Sequence, residues 1–251
     1  MYQKIDVLNG QGYVALVDKM GDDTAICNAA RVSYDKDTIG HDTILTEKDE
    51  KLLRYLLVNK HTSPFEHVKL SFEVSAPIFV FRQWHRHRTW AYNEISARYT
   101  ELPEQFYVPS IESIGVQHAS NKQMRTTVAL EEAQEIERKI QVAEYVAQCK
   151  QAFTTYRTLI TDGWPRELAR AVLPVSTFSR MVATVDLHNL MGFLRLRLHE
   201  HAQKEIQVYA VAMLSLMYIV APVTAIIFRE SLSGQKGYEW LTAQKHETSL
   251  S

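Results

Sequence analysis

The sequence has little of what marks several common protein classes. It holds two cysteines, Cys27 and Cys149, in 251 residues. They form no Cys-x-x-Cys pair and no disulfide framework, so a reducing cytoplasm is the simplest compartment. Neither has a neighbourhood that would activate it, and both read as buried structural thiols. Charge of one sign is lacking too, since the formal net charge is −1. Without a global basic field, a polymeric nucleic acid is not an expected partner. There is no Gly-x-Gly-x-x-Gly and no P-loop, so the usual dinucleotide folds lose support. The opening Met1-Tyr2-Gln3-Lys4-Ile5-Asp6 lacks the apolar core of a signal peptide. There is no repeat and no low-complexity tract. One run, Val208 to Phe228, lacks charged residues altogether. It is long enough to cross a bilayer. Pro222 interrupts it, however, and Tyr209, Ser215, Tyr218 and Thr224 dilute it. It is expected to be a buried helix followed by a separate short element, with no membrane partner. A helix apolar on nearly all faces also suits a subunit interface.

An apolar fraction of 46% is enough for a full core. The length fits one large domain or two small ones. Val7–Leu8 and Tyr13–Val17 read as short strands split by Gly10-Gln11-Gly12. Asp22 or Asp23 can cap a helix carrying Ala25, Ile26, Ala29 and Ala30. Asp35 to Asp42 reads as a loop. Thr46 starts the next helix, with Asp49 at the capping-box position. Its apolar face is Leu52, Leu53, Leu56 and Leu57, and residues 61–67 break it. Val68, Leu70, Phe72 and Val74 alternate with polar residues, the clearest strand in the chain. Ala76-Pro77 opens a helix that delivers Gln83 and Arg86. After Arg88 the chain is expected to be a loop. Residues 102–109 read as extended and 110–125 as polar and irregular. A long helix is expected from Thr127 to about Leu159, ended by Asp162-Gly163. Pro165 starts a short helix with Arg166 and Arg170, and Thr177–Val185 reads as a strand. Asp186 or Asn189 caps a helix with Arg195 and Arg197. Glu200 to Ala221 is the long apolar helix, and the tail after Ser231 is polar and partly disordered. Strands and long helices without regular βαβ alternation give an α+β class, with a mostly antiparallel sheet packed against several long helices.

The stretch from Arg82 to Tyr99 concentrates the chemistry. It holds four arginines, Arg82, Arg86, Arg88 and Arg98, against one carboxylate, Glu94. Gln83, Asn93 and Ser96 add neutral hydrogen-bonding groups, and Trp84, Trp90, Tyr92 and Tyr99 add flat apolar faces. The guanidinium is a permanently charged fork of five donors that suits phosphate oxygens and base edges. The mixture reads as a site for a phosphorylated, ring-containing small molecule. A solvated basic loop with aromatics turned inward is the plainer reading. It leaves the interleaved His, Asn, Glu and Ser without a purpose. His85 and His87, like His199 and His201, are two apart, which does not place them on one helix face, so no metal site is expected.

Arg86-His87-Arg88, Asn93-Glu94, Ser96 and Arg98 resemble the signature Arg-His-Arg-x-x-Ser-x-Asn-Glu-x-Ser-x-Arg of the flavin-dependent thymidylate synthases. Ala91 departs from it, standing where the family usually has Ser. The segments 61–67, 76–78, 83–84, 165–174, 186–188, 195–197 and 201–206 resemble further family blocks, so the likeness covers most of residues 50–210. The resemblance implies one catalytic domain over residues 1–231, a polar tail over 232–251, and a homotetramer with FAD sites at subunit contacts. It implies reductive methylation of dUMP to dTMP, with 5,10-methylenetetrahydrofolate as carbon donor and NADPH as reductant.

For dUMP the resemblance implies Gln83, Trp84, His85, Arg86, Glu94, Ile95, Ser96, Ala97, Arg98, Arg170 and Arg197. Ser96 and Arg98 are matched to the phosphate. Arg197 is the catalytic residue, spreading negative charge from the uracil near N3. An arginine stays protonated and so acts as an electrostatic stabiliser, not a base. Spacing alone would read Arg170 and Arg197 as helix-surface arginines in salt bridges. For FAD the resemblance implies Ser63, Arg86, His87, Arg88, Glu94, Asp186, Leu187 and His188, with His61 near the folate and flavin rings. Gly192 stands where the family usually has Asn or His, so it is left out of the site. The competing class is a non-catalytic nucleotide- or RNA-binding protein using the arginine-aromatic loop. The near-zero net charge counts against it.

Overall fold

The computed structural model describes residues 3–34 and 45–243, so the expected loop at Asp35 to Asp42 lies outside the described residues. Strands β1 (Gln3–Val7), β2 (Gly12–Met20), β3 (Lys69–Pro77), β4 (Ala91–Glu94) and β7 (Phe178–Asp186) form one antiparallel sheet in the order β1-β2-β3-β7-β4. A separate small hairpin pairs β5 (Val116–Gln117) with β6 (Arg125–Thr126). The helices are α1 (Asp23–Arg31), α2 (Glu47–Val58), α3 (Ile78–Trp84), α4 (Ile111–Ile114), α5 (Glu132–Thr161), α6 (Arg166–Ala169), α7 (Leu187–Arg197), α8 (Lys204–Val220), α9 (Pro222–Leu232) and α10 (Glu239–Ala243).

The period-two pattern of β3 decides which face of the sheet is covered. Val68, Leu70, Phe72 and Val74 are fully buried. They share their face with Met181, Ala183 and Val185 of β7, all buried. Against this face lies α8, with Ile206, Tyr209, Met213 and Met217 fully buried, and α7 and α9 pack on α8. The Tyr209 hydroxyl donates to the Ser75 carbonyl at 2.8 Å. Gly12 makes this approach possible, because a Cβ there would collide with that hydroxyl and that carbonyl. The opposite face of the sheet carries Ser71, Glu73, Arg180, Val182 and Thr184, and Val182 is 41% exposed.

Caps fix the helix starts. The Asp22 side chain accepts from the amides of Thr24 and Ala25 to start α1. Asp23, buried, accepts instead from the amides of Val223 (2.8 Å) and Thr224 (3.0 Å), starting α9 some 200 residues away. The Thr46–Asp49 capping box starts α2 as expected. Pro222 splits the uncharged run into α8 and α9. Among the described residues, no helix is long and apolar enough to cross a membrane.

Four local readings need correction. Residues 91–94 are a strand, because they pair with Thr184 to Met181 of β7, a partner some 90 residues away. The long helix begins at Glu132 rather than Thr127, where Glu131 and Gln134 supply a capping box. Residues 110–125, read as irregular, contain α4 and the β5–β6 hairpin up to Arg125. The segment after Ser231 packs as far as Leu241. Tyr238 and Leu241 are buried, and the Trp240 indole donates to the Leu198 carbonyl at 3.1 Å.

Candidate active site

Helix α3 follows directly on β3, with Pro77 both the last strand residue and the N-cap of the helix. The helix ends at Trp84, which delivers Gln83, His85, Arg86 and His87 to one place at its C-terminus. Arg197, at the end of α7, reaches the same place. Its Nε donates to His87 Nε2 at 3.1 Å, and its Nη2 donates to the Gln83 carbonyl at 3.0 Å. This leaves three of its five N–H donors without a protein partner among the described residues. Burial lowers the pKa of Arg197, although a guanidinium remains charged. Burial, and then the charge of Arg197, pushes His87 down to about 4, so its imidazole is neutral near pH 7.

The strand β4 carries Glu94 past this group. Glu94 accepts from the Ser179 hydroxyl at 2.6 Å and lies 4.0 Å from His85 Nε2. After Glu94 the chain turns. The Ile95 amide donates to the Arg180 carbonyl at 2.9 Å, and the Ser96 hydroxyl accepts from the Arg98 amide at 3.2 Å. Ser96 therefore organises its own turn, and no activating base is bonded to its hydroxyl among the described residues.

A second arginine group forms where this turn meets α6. Arg98 lies 3.4 Å from Glu167, and the Arg170 Nε donates to the Glu167 carbonyl at 3.3 Å. Both guanidinium groups are exposed. No hydrogen bond or ion pair among the described residues joins this group to the Arg197 group. The structure thus places these expected nucleotide residues in two sets instead of one closed pocket.

A third set lies at the start of α7. Asp186 caps it, accepting from the backbone (2.8 Å) and side-chain (2.7 Å) nitrogens of Asn189. The turn containing Ser63 packs against this helix. His61 is exposed and sits edge-on to Tyr55 at 5.5 Å. Arg86 and Arg88 are exposed and have no carboxylate partner among the described residues. Two unpaired guanidinium forks suit the diphosphate of a dinucleotide flavin. Gly192, one helical turn after His188, is exposed and has no atom within 4 Å of where a Cβ would stand. The donor chemistry and the open space both fit a large anionic cofactor.

Three expected residues are placed where their side chains serve the core. Trp84 and Leu187 are fully buried and Ala97 is nearly so. Trp84 packs against Phe193 at 4.9 Å and Tyr209 at 5.9 Å, so only its backbone can reach a ligand. Sequence reasoning gave no role to two other residues. Gln203 accepts a hydrogen bond from the Gln83 side chain, and Ser179 holds Glu94. Gln203 lies in the 201–206 block, but only the meeting of α3 and α8 reveals its partner.

The chain is similar to several known proteins. Residues 15–223 match the family described as thymidylate synthase complementing protein. The chain is 44% identical over 218 residues to the flavin-dependent thymidylate synthase of Treponema denticola, covering 87% of this chain and 79% of that one. It is 45% identical over 223 residues to a protein of the same name from Thermus thermophilus, covering 88% and 77%. A solved UMP/dUMP methylase, PolB from Streptomyces cacaoi bound with 5-Br dUMP, superposes with a TM-score of 0.78 at 35% identity, covering 90% of this chain and 96% of that one.

Proposed function

This chain belongs to the thymidylate synthase complementing protein family, and on that premise we infer that it is a flavin-dependent thymidylate synthase. It transfers the methylene carbon of 5,10-methylenetetrahydrofolate to dUMP. NADPH supplies two electrons through FAD, and the products are dTMP, tetrahydrofolate and NADP⁺. The observation that carries this reading is Arg197, held half-buried by His87 and Gln83 with donors to spare.

Carbon 5 of uracil is a poor nucleophile until negative charge spreads onto the ring. The free donors of Arg197 stabilise that charge, and burial strengthens the effect because fixed donors act in a low local dielectric. Arg98, Arg170 and the Ser96 turn bind the phosphate, and the Gln83 and Glu94 side chains orient the nucleotide. Arg86 and Arg88 would hold the cofactor diphosphate, with Ser63, Asp186 and His188 as further cofactor-binding residues and His61 in the folate and flavin neighbourhood. Reduced FAD, when bound, supplies the hydride. No covalent enzyme nucleophile is needed, which accords with the structural use of the Ser96 hydroxyl.

The assembly is a homotetramer in this reading, with sites shared between subunits. Two observations support it. The Arg197 and Arg98 sets are not bonded to each other among the described residues of one chain. The sheet face around Val182 is left open by the described helices of its own chain. Two clefts of the single chain, about 140 and 210 Å³, include none of Arg86, Arg98 and Arg197. Both are below the several hundred Å³ of a typical ligand pocket. Free, buried Cys27 and Cys149 accord with a cytoplasmic setting. The test is purification with chromophore analysis, followed by dTMP formation from dUMP, methylenetetrahydrofolate and NADPH. A protein that neither holds nor rebinds FAD contradicts the assignment.

A further inference from the structure

Arg197 can serve the pyrimidine only if its guanidinium plane is fixed, because a free arginine side chain samples many rotamers. Two acceptors fix it here. One is the Gln83 carbonyl at the end of α3. The other is an imidazole nitrogen, His87 Nε2, which takes the Nε–H. A histidine nitrogen accepts only when it carries no proton, so the bond sets the tautomer: Nε2 bare and Nδ1 protonated.

His87 is itself held from several directions. Its amide donates to the Trp84 carbonyl at 2.9 Å, and its carbonyl accepts from the Tyr92 hydroxyl at 2.7 Å. Its ring stands edge-on to Phe193 at 4.8 Å. Tyr92 in turn stacks on buried Trp90. The ring is therefore a rigid post joined to the hydrophobic core. Charging it would set a cation 3.1 Å from Arg197, and burial opposes that as well. The Nδ1–H has no partner among the described residues.

We propose that His87 is a positioning residue for the methylation step, a neutral Nδ1–H imidazole whose Nε2 orients the guanidinium of Arg197 toward the pyrimidine. The proposal rests on the reading of Arg197 given above. It differs from a role confined to cofactor contact, because His87 then acts through Arg197.

The test uses the FAD-loaded full chain. His87→Ala is expected to lower kcat per FAD-loaded site at saturating dUMP about 10- to 150-fold, the range for losing a charge-assisted hydrogen bond, with FAD occupancy measured in parallel because the resemblance also matches His87 to the cofactor. His87→Gln, which returns an acceptor near the position of Nε2, should recover most of the loss. Combining His87→Ala with Arg197→Ala should be no worse than Arg197→Ala alone. Nitrogen-15 histidine NMR of substrate-free protein gives a readout independent of turnover. It should show the Nδ1–H tautomer, with a Nε2 resonance that moves in Arg197→Ala. Multiplicative losses in the double variant, or an Nε2–H tautomer, overturn the proposal. If His87→Ala does not fold, the wild-type tautomer decides. Should Arg197→Ala turn over at the wild-type rate, the pyrimidine assignment of Arg197 fails, while the tautomer still reports whether the His87 bond exists.

Discussion

Replacing Arg197 by Ala separates binding from catalysis in this site. The structural cost is modest. Two acceptors lose a donor, but the Gln83 carbonyl also accepts from the amides of His85 and Arg86 at the helix end. His87 is only partly buried, so water can reach its ring. Losing these two bonds should cost roughly 1–3 kcal/mol. For a chain of this length each kcal/mol moves Tm by about 2–4 °C. The variant should therefore fold and keep FAD, since no cofactor contact is assigned to Arg197. The kinetic cost is larger. Removing one donor from a preorganised charge-stabilising site lowers kcat by about 100- to 1000-fold, and Arg197 offers more than one. Arg98→Ala is the control. It is exposed and, in the proposed reading, a phosphate ligand whose contact is alike in ground and transition states, so its loss should act on dUMP affinity, by about 10-fold or somewhat more. The assay is dUMP titration followed by single-turnover oxidation of the reduced enzyme with methylenetetrahydrofolate present. If Arg197→Ala reacts within about threefold of wild type once saturated, the unpaired donors of a guanidinium anchored by His87 and Gln83 do not mean charge stabilisation, and the reasoning fails.

The same geometry gives further outcomes. His87 should remain neutral down to about pH 4. Its folded pKa lies below the ordinary value near 6.5, so the stability it lends is complete above that value and declines as pH falls toward 4. An NMR titration showing His87 protonated at pH 6 would contradict this. Trp84→Phe should lower thermal stability yet leave dUMP affinity within about twofold, because the indole faces Phe193 and Tyr209; calorimetry and dUMP titration check it. Gly192→Ala meets open space within a helix, so it should stabilise by about 1 kcal/mol and raise Tm a few degrees. Val182→Lys, on the sheet face that the described helices leave open, should shift the proposed homotetramer toward smaller species in light scattering. A tetramer unaffected by it would move the interface elsewhere.

Local chemistry was legible in the sequence. Thr46 and Asp49 announce a helix start through their own side chains, and the structure shows both halves of that capping box. Strand β3 is visible because alternation has a period of two whatever lies around it, and Pro222 breaks a helix in any context. The α+β class and the arginine-rich stretch follow from patterns of this kind. The family signature adds residue types, and with them dUMP, FAD and the reaction. Tertiary structure decided what depends on a distant partner. Strand β4 exists because β7 offers an edge to it, and its own four residues give no such signal. Asp23 caps α9, some 200 residues away, while its neighbour Asp22 caps the local helix, a division that spacing cannot make. Trp84 stands among arginines like a ligand face, yet the turn of the helix places it in the core while Gln83 stays at the site. The orientation of Arg197 needs His87 and Gln83, more than 100 residues away, and a bond across that distance is created only when α3 and α7 meet.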